Sequence, residues 1–292
     1  MKKLIPALLA CCAVFTPAAM AGTVHVVASF TVLADMVRQI GGQYVEVKSL
    51  VGPDGDPHTF EPAPQDSVAL AKADVVVISG LGLEGWMERL IRASGYQGKV
   101  IVASQGITPL TMTENGNKVT DPHAWNSMAN GVIYARNISQ SLQQADPQDA
   151  AEIRRQGDAY IRQLESLDHW AQSKFAAIPA SKRLVLTSHD AFGYFGDRYG
   201  VKFVSPIGFN TDEEASASGV AALINQLKST GIHRYFIENQ TDPRLVQQIA
   251  AAADATPGGE LYPEALSDER GPAATYQQAF RLNVDQLLKS MQ

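Results

Sequence analysis

The stretch DPQDAAEIRRQGDAYIRQLESLDHWAQSKFAAIP, residues 146–179, decides the fold. Nowhere does it show the alternation or the β-branched run of a strand. Apolar or small residues stand at Ile153, Gly157, Tyr160, Leu164, Leu167, Ala171 and Phe175, in steps of 4, 3, 4, 3, 4 and 4. Those steps lay one stripe along a helix. Asp146 is suited to the N-cap with Pro147 at the first helical position, and Pro179 ends the run. A helix of about 30 residues, rising about 1.5 Å per residue, spans roughly 45 Å. One α/β unit does not need that length, so the segment reads as a rigid connector lying across two.

Outward from it, both flanks repeat one pattern. On the N-terminal side, strand-like runs at 24–29, 45–51, 74–79 and 99–103 alternate with helical spacing at 32–40, 65–72 and 83–93. A polar loop is expected at 111–120 and a helix at 131–144. On the C-terminal side, strands at 184–188, 201–206, 235–237 and 260–262 alternate with helices at 192–199, 215–229, 243–253 and 275–291. Strands alternating with helices build parallel sheets, and continuous Val/Ile runs such as DVVVIS imply burial on both sheet faces. The expected fold is α/β: two parallel-sheet lobes, 22–145 and 180–292, with helices on both faces, joined by one long backbone helix.

Of the 292 residues 45% are hydrophobic and 18% charged, a globular balance that excludes a disordered or collagen-like chain. The N-terminus carries Lys2 and Lys3, a short apolar run from Leu4 to Phe15, and the small-x-small triplet Ala19-Met20-Ala21. This reads as a signal peptide over 1–21, cleaved before Gly22, and places the mature chain in the periplasm. Lipid attachment at Cys11 ranks lower because the apolar run before it is very short. Loss of Lys2 and Lys3 leaves 22 of the 24 basic residues against 30 acidic ones, a net charge of −8. Cys11 and Cys12 leave with the leader, so the mature protein has no thiol ligand. An acidic chain without a basic stripe does not suit nucleic acid and mildly favours cations.

Any metal site must then use His, Asp, Glu or backbone oxygen. His25, His169 and His233 read as core or surface histidines. His58, His123 and His189 each follow a strand, where open α/β sheets place their ligand crevice. Two of them share the local sequence Asp-Pro-His, at 56–58 and 121–123. Proline stiffens the backbone before each ring, and the aspartate can accept a hydrogen bond from the loop or the imidazole. Three imidazoles converging between two lobes suit a borderline-soft divalent cation, zinc above all. Glu238 reads as hydrogen-bonded to backbone rather than paired with a ligand. Trp125, Phe60 and Phe192 neighbour the histidines as apolar wall. Gly80-Leu81-Gly82 is too short for a nucleotide loop. Glu213 and Glu214 are placed at a helix start, where the dipole favours acids.

The segments VHVVASFTVLADMVRQIGG, VGPDGDPHTFEPAPQD, DPHAWNS, LTSHDAFGYFGDRYG and GELYPEALSDERGPAATY together resemble the solute-binding receptors of bacterial ABC importers for zinc and manganese. The resemblance implies a metal held by His58, His123 and His189, with a fourth, carboxylate ligand from the loop after Leu261-Tyr262, here Glu264. It implies docking on an ABC permease with a cytoplasmic ATPase through the rims of both lobes, by a chain expected to be a monomer. Two departures stand out. The family usually has Asp where this chain has Glu264, so Asp268, Glu260 and Glu61 are alternative ligands. The His-rich loop of typical zinc members is absent from 111–120, whereas manganese members typically put Glu where His189 stands. Three nitrogens and one oxygen favour zinc as the transported ion, with Mn2+ or Fe2+ behind. The competing function is a periplasmic zinc hydrolase with Glu61 or Glu264 as base; the expectation is a receptor, not an enzyme. Metal affinity is expected to fall as pH drops through roughly 6, near the titration of free histidine.

Overall fold

The computed structural model describes residues 22–114, 117–208, 211, 215–230, 232 and 234–291. The leader with Cys11 and Cys12, the acids Glu213 and Glu214, and His233 lie outside them. In the first half, the valine runs become β1 (Val24–Ala28), β2 (Val45–Ser49), β3 (Val75–Ile78) and β4 (Lys99–Val102). The helices between them are α1 (Thr31–Gly41), α2 (Pro64–Ala71) and α3 (Met87–Ser94). The strands are all parallel, in the order β2-β1-β3-β4. Val26 pairs with Val47 on one side and Val75 on the other, and Val75, Val76 and Val77 are buried, as a sheet covered on both faces requires.

Residues 111–120 depart from the expected loop. They contain the antiparallel pair β5 (Thr111–Glu114) and β6 (Asn117–Thr120), with Thr111 opposite Thr120. Asn115-Gly116 is a strong hairpin signal in sequence, and the Thr and Val around it favour strands. Then come α4 (Met128–Ala145) and α5 (Ala150–Ala176).

Helix α5 is the connector, 27 residues long. All seven stripe residues from Ile153 to Phe175 are buried. Its start differs from expectation. Asp146 closes α4 as its C-cap, its N–H bonding to the Leu142 carbonyl, and Asp149 takes the N-cap position of α5. The Asp146 carboxylate accepts the Asp149 N–H at 3.2 Å, so it organises the link between two helices rather than capping the second. Helix α5 lies on α1 and α4 of the first half and on α6 (Gly193–Tyr199) and α9 (Tyr276–Met291) of the second. Gly157 allows a close approach: a Cβ there would collide with the Ser139 side chain, 3.0 Å from its Cβ, and sit 3.5 Å from Ile40. Toward the other half, buried Asp168 accepts hydrogen bonds from the Tyr199 hydroxyl at 2.8 Å and Arg198 Nε at 3.1 Å.

The second half repeats the first. Strands β7 (Leu184–Leu186), β8 (Lys202–Val204), β9 (Arg234–Glu238) and β10 (Thr256–Leu261) are parallel in the order β10-β9-β7-β8. Helices α7 (Ala217–Thr230) and α8 (Arg244–Ala252) complete it. In both sheets the second strand lies on one side of the first, and the third and fourth on the other. One core runs from Val24 to Met291 through α5, and a smaller one lies between α7, α8 and the second sheet. No helix among the described residues is long and apolar enough to cross a membrane.

Candidate metal centre

Each of the four candidate side chains follows a strand at its carboxyl end, two from each half, and the backbone before each is tied down. His58 lies in the loop after β2, where Asp56 Oδ1 accepts its N–H at 2.8 Å and Trp86 Nε1 donates to the Pro57 carbonyl at 2.8 Å. His123 follows β6, where Asp121 Oδ1 accepts its N–H at 2.9 Å and also meets its Nδ1 at 2.9 Å. The repeated Asp-Pro-His thus makes the same backbone turn twice, and in the second copy the aspartate also orients the ring. His189 follows β7. Glu238, the last residue of β9, accepts the Ser188 and His189 N–H groups at 3.0 and 3.2 Å through Oε1, and its Oε2 meets His189 Nδ1. Glu264 follows β10, with Trp125 Nε1 donating to the Pro263 carbonyl at 2.7 Å.

These loops bring four donors together. Glu264 Oε1 lies 2.7 Å from His58 Nε2, 2.7 Å from His123 Nε2 and 3.2 Å from His189 Nε2. The His58 and His123 Nε2 atoms are 3.2 Å apart. All four donor atoms lie within 4.8 Å of one another. A tetrahedral zinc shell with bonds of about 2.0 Å has ligand–ligand edges of about 3.3 Å, so a modest outward shift of the Glu264 oxygen makes room for an ion. The side chains of His123, His189 and Glu264 are fully buried and that of His58 is 3% exposed. The extra methylene of Glu264 therefore brings its carboxylate into the cage.

Opposite charge, not burial, sets the protonation of the cage. Burial opposes a charged His123, but hydrogen bonds to Asp121 and Glu264 outweigh it and raise the imidazole to about 9. Burial likewise opposes a charged His189, and the charges of Glu238 and Glu264 overcome it, holding the ring well above the usual histidine range. Glu264 is held well below the usual carboxylate range: burial works against it, and His58, His189 and His123 prevail. Nδ1 of His123 and of His189 each faces a carboxylate, which leaves Nε2 turned toward Glu264 as the free donor atom and makes it more basic.

The alternative carboxylates lie elsewhere. Asp268 is exposed and accepts the Arg270 N–H, Glu260 bonds to the Tyr262 hydroxyl at 2.8 Å, and Glu61 is exposed. His25 pairs with Glu46 at the surface, and His169 is exposed on α5. Glu238 does both things that the sequence reading set against each other: it binds backbone and orients a histidine. Its place at the end of a strand next to β7 was the available signal. Trp125 packs on His123 with centroids 5.6 Å apart, and Gly80, Leu81 and Gly82 form a positive-φ turn whose buried Glu84 accepts the Ser79 and Gly80 N–H groups.

Residues 26–290 match the family described as "Zinc-uptake complex component A periplasmic". The chain belongs to this family. It is 32% identical to the manganese-binding lipoprotein MntA of Bacillus subtilis, over 91% of this chain and 89% of that one. It is 31% identical to the iron-binding protein YfeA of Yersinia pestis, over 90% and 85%. Among solved structures, the periplasmic zinc binding protein TroA of Treponema pallidum superposes with a TM-score of 0.87 at 28% identity, over 92% of this chain and 99% of that one. It is also 31% identical to the iron ABC transporter substrate-binding lipoprotein MtsA of Streptococcus pyogenes, over 97% of this chain and 94% of that one; a family of metal-uptake binding components rather than enzymes removes the hydrolase alternative.

Proposed function

We propose that the protein captures a single divalent transition metal, zinc ahead of manganese or iron, and delivers it to an ABC permease with a cytoplasmic ATPase. His58, His123, His189 and Glu264 are the ligands in this reading. The observation that carries it is the buried convergence of three Nε2 atoms on one carboxylate oxygen. Three nitrogens and one oxygen fit zinc better than manganese, which prefers more oxygen. The relatives' names divide between manganese, iron and zinc, so the preference rests on the donor set. The protein acts as a monomer in the periplasm, with lobes 22–145 and 180–292 docking their rims on the permease. The names of the lipoprotein relatives support Cys11 as a second processing point beside cleavage before Gly22, and the intact mass of the exported protein separates the two.

The test is metal analysis after stripping and reloading from an equimolar mixture of zinc, manganese and ferrous iron. One zinc per chain is expected; manganese or iron in its place would overturn the preference. A ligand at 1,000 times its dissociation constant stabilises the fold by roughly 4 kcal/mol. Alanine at His58, His123 or His189 should remove the resulting rise in Tm, and alanine at His25, His169 or His233 should leave it.

A further inference from the structure

We propose that Gln240 sets the metal preference of this site by restricting Glu264 to one donor oxygen. The inference rests on the assignment of the four ligands above and adds a residue that does not touch the ion. Gln240 stands two residues beyond Glu238, past the end of β9. Its Nε2 donates to Glu264 Oε2 at 3.1 Å, while the other oxygen of the same carboxylate faces the three imidazoles. The two oxygens of Glu264 thus have separate tasks.

The amide orientation follows from charge. An amide oxygen turned toward the carboxylate would be repelled, so the NH2 group must face Glu264. The consequence is visible at the other end of the amide, where Oε1 of Gln240 is buried with no hydrogen-bond partner among the described residues.

Coordination follows. A carboxylate free at both oxygens can bind in a bidentate manner, which adds an oxygen and raises the coordination number. Manganese and ferrous iron are served by that change, whereas zinc is satisfied by four tetrahedral ligands. Glutamate swings more widely than aspartate, so the longer ligand needs a partner to fix it. Gln240 supplies a donor without charge, leaving the cage electrostatics unaltered.

The experiment compares wild type with Gln240→Ala and with Gln240→Met, which keeps most of the volume and lacks the donor. Zinc and manganese affinities are measured by chelator competition, and the visible spectrum of the cobalt(II)-loaded protein reports coordination number. Wild type should show the intense bands of four-coordinate cobalt. Both variants should show weaker bands and a zinc-to-manganese affinity ratio lowered roughly 10-fold, the scale of losing a partner to a ligand. A wild-type spectrum and ratio in the variants would overturn the proposal. So would an equal loss of affinity for both metals, which marks a purely structural role. A wild type that binds neither zinc nor cobalt would overturn the ligand assignment itself, and that failure is seen before any variant is made.

Discussion

Raising the pH of the metal-free protein from 6.5 to 9 should destabilise it, while the zinc-loaded protein should not follow. The reasoning starts at His123, whose imidazole is raised from 6.5 to about 9 by Asp121 and Glu264 against the opposing effect of burial. A group held above its unfolded value contributes stability that is complete below about 6.5 and is lost as pH rises through the folded value. At about 1.4 kcal/mol per pH unit, that shift corresponds to about 3 kcal/mol. In a chain of this size that is roughly 6 °C in Tm. His189 is shifted the same way and steepens the loss. Glu264 runs opposite: its depressed value contributes stability above about 4.5 that is lost as pH falls below it. The contact it makes with the histidines is the same one and is counted once. In the loaded protein the metal takes the place of these protons. Each displaced proton weakens zinc about 10-fold per pH unit below the raised value, so the window of falling affinity opens near pH 9 rather than near 6, where free histidine would put it. Scanning fluorimetry of stripped and loaded protein across this range, with proton release on zinc addition in weak buffer, checks both statements. A metal-free Tm that stays flat or rises from pH 6.5 to 9, with no proton released, would refute the reasoning.

Glu238→Gln keeps a hydrogen-bonding group beside His189 Nδ1 but removes its charge, and should weaken zinc roughly 10-fold in chelator competition with little change in fold by circular dichroism. Gly157→Ala forces a methyl group into Ser139 where α5 crosses α4, and should cost about 1–3 kcal/mol in denaturant unfolding; adding Ser139→Gly should recover part of it. Asp168→Ala leaves the Tyr199 hydroxyl and Arg198 without their buried acceptor and should cost about 1–3 kcal/mol, with the bound zinc content unchanged.

Most of the architecture was legible because burial writes a period into sequence. The stripe from Ile153 to Phe175 and the valines of β1 and β3 face the core along their whole length, and tertiary contacts had nothing to override. Errors gathered where local and distant chemistry compete. Strand β10 begins at Thr256, four residues before its sequence signal, because Pro257, Gly258 and Gly259 disguise it. It is an edge strand with a bulge, where proline is tolerated, and a Cβ at Gly258 would strike the Phe236 ring. The reading of Asp146 failed because one aspartate serves as a cap at either of two adjoining helices. For the cage, Asp-Pro-His marked two histidines locally, but spacings of 65 and 66 residues carry no geometry. Glu264 rested on resemblance, and Gln240 had no sequence signal at all, since its partner lies 24 residues away.

On the proposed reading, the charges of the cage also account for the stability of its metal-free form. Glu264, Asp121 and Glu238 face three imidazoles in a space almost closed to water. An uncompensated negative charge there would be costly. Protons on His123 and His189 supply the compensation, which is why both rings are raised. Proton-loaded and metal-loaded cages therefore carry similar charge, and exchange between them requires little reorganisation beyond the small displacement of the Glu264 oxygen. The surrounding links reinforce this. Asp56 Oδ2 accepts the Thr211 hydroxyl at 2.6 Å, Asn239 Nδ2 donates to Asp54 at 2.8 Å, and Trp125 bonds across to the Pro263 carbonyl. All three join the two halves beside the cage, and α5 packs on helices of both halves. A wide hinge opening would break every one of these bonds and bend a 27-residue helix. Local movement of the loops that carry His58 and Glu264 strains the same three bonds but leaves α5 straight, and on the proposed reading is the cheaper route for an ion to enter and leave.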